Sequence, residues 1–208
     1  MNLDVSNQRT VVHLDWRSND CLPSAVFKES ILPALCLDAF SIITYLNLAG
    51  NGLGDEGVAE LFARVPGSSM ITIELYFNQI TAVGAKSIVD HVLGPDFDLA
   101  LESSQLFRPK SASDLRNSRC VLQHLRLGWN DLEDEGAQAI CNLFYHPLLI
   151  ELNLCYNDIG PVGGEIIRDT VKHSVSLRRL PLHGNSVPQP VIDSIEAVLL
   201  YNDKQHVE

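Results

Sequence analysis

The stretch LNLAGNGLGDEGVAEL (Leu46–Leu61) decides the fold, because the chain repeats it. IELYFNQITAVGAKSI (Ile73–Ile88), LRLGWNDLEDEGAQAI (Leu125–Ile140) and LNLCYNDIGPVGGEII (Leu152–Ile167) align to it without gaps around an Asn. The shared pattern is L-x-L-x-x-N-x-L-x-x-x-G-x-x-x-L. A fifth copy, LPLHGNSVPQPVIDSI (Leu180–Ile195), keeps everything but the Gly, where Val191 stands. An apolar residue precedes each first Leu by three positions: Ile43, Met70, Leu122, Leu149 and Leu177. A period between 20 and 50 residues is the mark of a solenoid, in which one unit cannot bury its own apolar face and stacks on its neighbours to do so.

The anchoring residues are Asn51, Asn78, Asn130, Asn157 and Asn185, at intervals of 27, 52, 27 and 28. The 52 reads as a double step, with LALESSQL (Leu99–Leu106) halfway and Ser104 at the Asn position. At the front, LDWRSNDC (Leu14–Cys21) fits with Asn19 as anchor, 32 residues before Asn51. The count is then about seven units.

This pattern resembles the leucine-rich repeats of the ribonuclease-inhibitor type, on L-x-L-x-x-N-x-L with a Gly six residues after the Asn. The resemblance covers roughly residues 11–200. It implies an α/β solenoid, a horseshoe with parallel strands on the concave face and helices on the convex face. We expect a single domain over 1–208, with a degenerate fourth unit around 99–121 and a closing helix over about 190–203.

Each feature of the repeat has a physical role. Alternating L-x-L makes a short strand with both Leu side chains on one face. The Asn amide both donates and accepts, so it can satisfy the backbone groups of the turn that leaves the sheet. Ser104 has fewer hydrogen-bond sites and predicts a weaker rung. Asp55, Glu56, Asp134 and Glu135 fall at helix N-termini, where negative charge is favoured. Gly57, Gly84, Gly136 and Gly163 recur at one place, a sign of close approach between neighbouring turns.

Composition narrows the function. The 208 residues carry 15 Lys+Arg and 26 Asp+Glu, a net charge of −11. That balance argues against nucleic acid and anionic membrane surfaces as partners. No apolar run reaches the length that spans a bilayer, and the N-terminus has no apolar core of a secretory signal. The five cysteines, Cys21, Cys36, Cys120, Cys141 and Cys155, form no CxxC pair, so neither a zinc site nor a disulfide framework is expected. With no Asn-x-Ser/Thr sequon either, the expectation is a cytoplasmic protein, with a cytoskeletal or ciliary setting as its more specific form.

The chain holds no GxxxxGK[ST], GxGxxG, HExxH or GxSxG motif, and its seven histidines show no ligand spacing. We therefore expect no catalytic residue, no metal and no cofactor. The GDEG and EDEG stretches lack the spacing of a calcium loop and read as helix starts. GTPase-activating proteins built on the same repeat offer a rival class, a GTPase regulator. That reading requires a surface Arg whose loss abolishes GTP hydrolysis but not binding, and no residue-level match carries one over.

The informative positions alternate with the core Leu residues and face the concave side. Glu74, Ala100 and Arg126 stand four before the anchor, and Tyr76 and Glu102 two before it. One before it, at the strand exit, stand Ser18, Gly50, Phe77, Ser103, Trp129, Tyr156 and Gly184. Packing does not demand rings there, since Ser and Gly also occur, yet three units carry one. Aromatic residues and Arg dominate binding hot spots. The alternative reading is that the rings pack on each other along the solenoid. We expect a non-enzymatic protein-interaction module that binds a protein partner through Glu74, Tyr76, Phe77, Glu102, Arg126, Trp129 and Tyr156. The alternative is a structural subunit of a large cytoskeletal or ciliary assembly. A second candidate surface is the basic stretch of Arg108, Lys110, Arg116, Arg119 and Arg126 against Asp114, net +4, as a dock for an acidic or phosphorylated segment.

Overall fold

The computed structural model of the protein describes residues 12–17, 43–65, 68–94 and 120–204. Within them, five short strands form one parallel sheet in chain order. They are β1 (Val12–Asp15), β2 (Ile43–Asn47), β3 (Thr72–Glu74), β4 (His124–Arg126) and β5 (Glu151–Asn153). A bridge from Glu151 to Arg179 adds a sixth rung. The connections are helices: α1 (Gly54–Phe62), α2 (Ala82–Leu93), α3 (Glu133–Ile140), α4 (Pro161–Val171) and α5 (Gln189–Lys204). Each helix packs on the next. Helices stand about 8–10 Å apart and strands about 4.8 Å. The helical side is therefore the longer one, and the sheet takes the inside of the curve.

The repeated Leu positions form two buried columns. Leu46, Ile73, Leu125, Leu152 and Leu180 line up in register, and Leu48, Leu75, Leu127, Leu154 and Leu182 form the second row. Phe62 and Phe144 fill the space toward the helices. Each fully buried side chain of this kind contributes about 1.5–3 kcal/mol.

The long first unit keeps register: Leu14 pairs with Leu46 and Asp15 with Asn47. The double step does not. β3 pairs directly with β4, Ile73 opposite Leu125 and Glu74 opposite Arg126. The sheet leaves no place between them for a strand from 99–106, so Ser104 is not a rung between Asn78 and Asn130. The sequence expectation failed because a 52-residue interval divides evenly by the period, and spacing alone does not distinguish two units from one unit with a long insertion. Residues 95–119, with Glu102, Ser103 and the basic residues from Arg108 to Arg119, lie outside the described residues.

The Asn ladder is present. The Asn78 Oδ1 accepts from the Asn51 and Leu53 N–H groups at 3.3 and 3.2 Å, one unit back. Its Nδ2 donates to the Leu48 and Tyr76 carbonyls. Asn130 and Asn185 repeat both halves of this pattern toward their own preceding units.

The acidic residues of the repeat reach further than their own helices. Asp55 Oδ1 accepts from the N–H groups of Thr81 and Gly84 at 2.8 and 2.9 Å, and its Oδ2 accepts from the Thr81 hydroxyl at 2.7 Å. It thus caps α2, the helix of the next unit. Asp134 does the same for α4 through the Gly160 N–H at 2.6 Å. A Cβ on Gly84 or Gly163 would sit 2.5 Å from the capping carboxylate oxygen, which explains Gly at those positions.

Candidate functional site

The strand-exit residues sit where each strand breaks into its turn, and the break requires a left-handed backbone. The φ angles are 55° at Phe77, 57° at Trp129 and 52° at Tyr156, and Gly50 and Gly184 hold the same register at 72° and 76°. Gly takes this conformation freely; a bulky residue does so at a cost of about 1–3 kcal/mol. Three of five described units nevertheless carry a ring.

The rings form one stack. Phe77 and Trp129 lie 5.0 Å apart at 20°, and Trp129 and Tyr156 lie 3.9 Å apart at 13°. His183 meets Tyr156 edge-on at 5.4 Å. The absence of a side chain on Gly184 leaves the space that the Tyr156 ring occupies. Stacking along the solenoid is therefore real, yet the rings stay open to solvent: Phe77 is 54% exposed, Trp129 47% and Tyr156 38%. They form a continuous aromatic rim over three adjacent units rather than three units with a gap.

The charged candidates lie one step inward, on the concave floor, and bind each other. Arg126 donates from Nη1 to Glu74 Oε1 at 2.5 Å and from Nε to Glu151 Oε1 at 2.9 Å. The hydrogen bond to Glu151 comes first among the interactions that raise the Arg126 pKa above its usual range. Burial pushes the Glu151 carboxyl up, but Arg126 and His124 outweigh it and hold its pKa below the ordinary value. Glu74 also accepts from Asn47 Nδ2 at 3.1 Å. Tyr76 lies over Gly128, and its hydroxyl accepts from Asn153 Nδ2 at 3.1 Å. The structure thus brings Glu74, Tyr76 and Arg126 together as an internally paired floor, and Phe77, Trp129 and Tyr156 as the open rim. Glu102 lies outside the described residues.

Sequence reasoning missed Glu151, the second carboxylate on Arg126. The signal existed: Glu151 continues the alternation one step before Leu152 and so faces the concave side with Asn153. It also missed the contact of Cys155 Sγ with His183 Nδ1 at 3.0 Å. Burial pushes that thiol up to about 11, so it stays protonated at neutral pH and is a poor nucleophile. Among the described residues, no cluster of His, Cys, Asp and Glu has the arrangement of a metal site, and no helix is long and apolar enough to cross a membrane.

The five-strand parallel sheet, the Asn ladder and the repeat pattern define a leucine-rich-repeat chain of the ribonuclease-inhibitor type. A leucine-rich-repeat family model matches residues 42–62, 120–141 and 145–167. The ribonuclease inhibitor of Sus scrofa is 28% identical over 203 residues, covering 77% of this chain and 44% of that protein. The chain thus spans less than half the length of that relative. Among solved structures, leiomodin-1 actin-binding site 2 shares the fold, with a TM-score of 0.58 at 15% identity over 96% of this chain and 86% of that one. The tropomodulin C-terminal domain of Caenorhabditis elegans aligns with a TM-score of 0.49 at 11% identity, over 95% and 87% of the two chains.

Proposed function

We propose that this solenoid is a protein-binding module whose partner docks on the rim of Phe77, Trp129 and Tyr156, above the paired floor of Glu74, Arg126 and Tyr76. The observation that carries the reading is the rim itself. The fold needs a left-handed residue there, Gly meets that need best, and three successive rungs hold exposed rings instead. Solenoids of this kind present extended surfaces to protein ligands, and solvent-exposed rings held rigid by stacking lose little entropy on binding. At about 4.8 Å per strand the rim spans roughly 10 Å, the scale of a short peptide segment or one helix face. The floor supports the rim rather than reaching for the partner, because its Arg and Glu side chains already satisfy each other. The role is one of binding and not of catalysis.

The test is affinity capture from native extract with the full chain and with Trp129→Gly, which keeps the left-handed turn. We expect partners held by the wild-type chain to bind the variant at least about thirtyfold more weakly, equivalent to about 2 kcal/mol. Equal recovery on both would remove the rim from the binding surface.

The second reading, a fixed subunit of a cytoskeletal assembly, draws on the fold shared with a fragment named as an actin-binding site. Co-sedimentation with filamentous actin separates it: pelleting of the full chain with filaments supports that setting, and a chain left wholly in the supernatant does not.

A further inference from the structure

The aromatic rim keeps a free ring face at one end. Trp129 is stacked on both sides, by Phe77 and by Tyr156. The face of Phe77 turned away from Trp129 meets no ring among the described residues, and the rung before it carries Gly50 at the same register. Stacked rings turn their electropositive edges outward and hold their electron-rich faces inside. The free face of Phe77 is thus the electron-rich end of the row, the surface on which a planar cation stacks.

The unpaired charges around the rim have one sign. Asp131 and Asp158 each stand two residues beyond a ring, Glu133 follows in the same turn as Asp131, and all three are exposed. Among the described residues they form no ion pair. Glu133 and Asp158 hold left-handed backbone, φ 55° at each, where the unit of Asn51 has Gly54 at 60° and Gly52 at 58°. As with the rings, a side chain stands where Gly fits best. The nearby guanidinium groups of the concave side are already matched, Arg17 by Asp15 and Arg126 by Glu74 and Glu151. Lys86 lies further on, in the second turn of α2. An edge of this kind attracts a cationic partner and repels an anionic one.

We infer that the partner of the rim presents a basic segment. The guanidinium of one Arg stacks on the free face of Phe77, and further Lys or Arg residues pair with Asp131 and Asp158. Their stems cover the outward edges of the Trp129 and Tyr156 rings while their charged heads reach the carboxylates. Alternate residues of an extended segment lie about 6.6 Å apart, so the rim takes two or three such side chains along its length of roughly 10 Å. The rings supply the apolar contact and the acids select the sign of the partner. This inference rests on the rim as the docking surface and adds the chemistry of what docks there.

A display library of random twelve-residue peptides, panned on the full chain at physiological salt, tests it. We expect enriched peptides with Arg and Lys and a net positive charge. They should bind Phe77→Gly, Trp129→Gly and the double variant Asp131→Asn/Asp158→Asn at least tenfold more weakly than the wild-type chain, and Glu165→Gln, an acid of α4, within twofold. The double variant changes two exposed side chains and should melt as the wild type does. Enriched peptides without basic residues that still lose binding with Trp129→Gly would support the rim and overturn the basic partner. Basic peptides that bind all three rim variants as tightly as the wild type would sink both readings, since they then follow the net charge of −11 and not the rim. Failure to enrich any peptide class overturns the inference as well. So does a tenfold gain in affinity when residues 95–119 are replaced by a Gly/Ser linker, because the chain's own basic stretch then fills the rim. A concentration-dependent dimer in sedimentation that Trp129→Gly abolishes would overturn it in favour of a second copy.

Discussion

The backbone N–H of Asn78 donates to the side chain of Asn130 at 2.9 Å, although 52 residues separate them. They are neighbouring rungs of one ladder. No rung lies between them, because β3 pairs directly with β4. Two expectations follow. Replacing residues 95–119 by a short Gly/Ser linker should leave a folded, cooperative protein, because loop length enters stability only logarithmically, about 0.6 kcal/mol per doubling. Ser104→Asn should change stability by less than about 0.5 kcal/mol. A stabilising effect in urea titration, or loss of cooperativity in the linker variant, would mean that the segment holds the sheet together.

Asn130 itself should matter. Its Nδ2 donates to the carbonyls of Leu75, Leu127 and Gly128, and its Oδ1 accepts from the N–H groups of Asn78 and Ile80. Asn130→Ala leaves these buried groups without partners, at about 1–3 kcal/mol each where water does not enter. We expect a loss of at least about 2 kcal/mol by chemical denaturation. A variant as stable as the wild type would show that water replaces the amide.

The caps between units are open to a double-mutant cycle. Asp55→Ala removes the acceptor for Thr81 and Gly84 and should cost about 0.5–2 kcal/mol. Gly84→Ala places a methyl against that carboxylate and should also destabilise. With the carboxylate gone, the methyl loses its closest obstacle, so the double variant should be more stable than the sum of the two losses predicts. Strict additivity in thermal melts would rule out the contact as the reason for Gly84.

Trp129→Gly separates binding from folding. The variant loses two stacking contacts, about 0.5–1.5 kcal/mol each, and relieves a left-handed backbone. The two terms offset, so the melting temperature should move by only a few degrees while partner binding falls. Lys86→Ala, on exposed α2, should change neither. A collapse of the melting temperature in Trp129→Gly would identify the rim as packing.

Acid should weaken the fold through His146. Burial lowers its pKa to about 4 from 6.5, so the folded state resists a proton that the unfolded chain accepts. The sign follows: stability is full above about 6.5 and declines as the pH falls from there toward 4. His146→Leu should flatten the slope of the denaturation midpoint over that window, even though it starts from a less stable protein, since His146 also accepts from the Leu148 N–H at 3.4 Å. An unchanged slope would assign the acid sensitivity to other groups, Glu151 first among them.

The sequence by itself determined the repeat, the two Leu columns and the Asn ladder, because these depend on local alternation and a fixed period that every unit must obey to share one core. It also placed Phe77, Trp129 and Tyr156 at one register position. What it left undecided were facts set by which unit lies beside which. The interval of 52 residues was divisible in two ways, and only the pairing of Ile73 with Leu125 chose between them. Glu74 and Arg126 read as surface charges for a partner until the sheet brought Glu151 to the other side of the guanidinium. Asp55 read as an acid for its own helix, whereas its carboxylate spans to the next. The left-handed turn under each ring is marked in the sequence only by Gly50 and Gly184 at the same register, and the rings themselves give no sign of it. The physical reason is common to all of them: contacts along a strand or helix follow from neighbours in sequence, while contacts across the solenoid depend on the stacking of one unit against another, which only the tertiary structure decided.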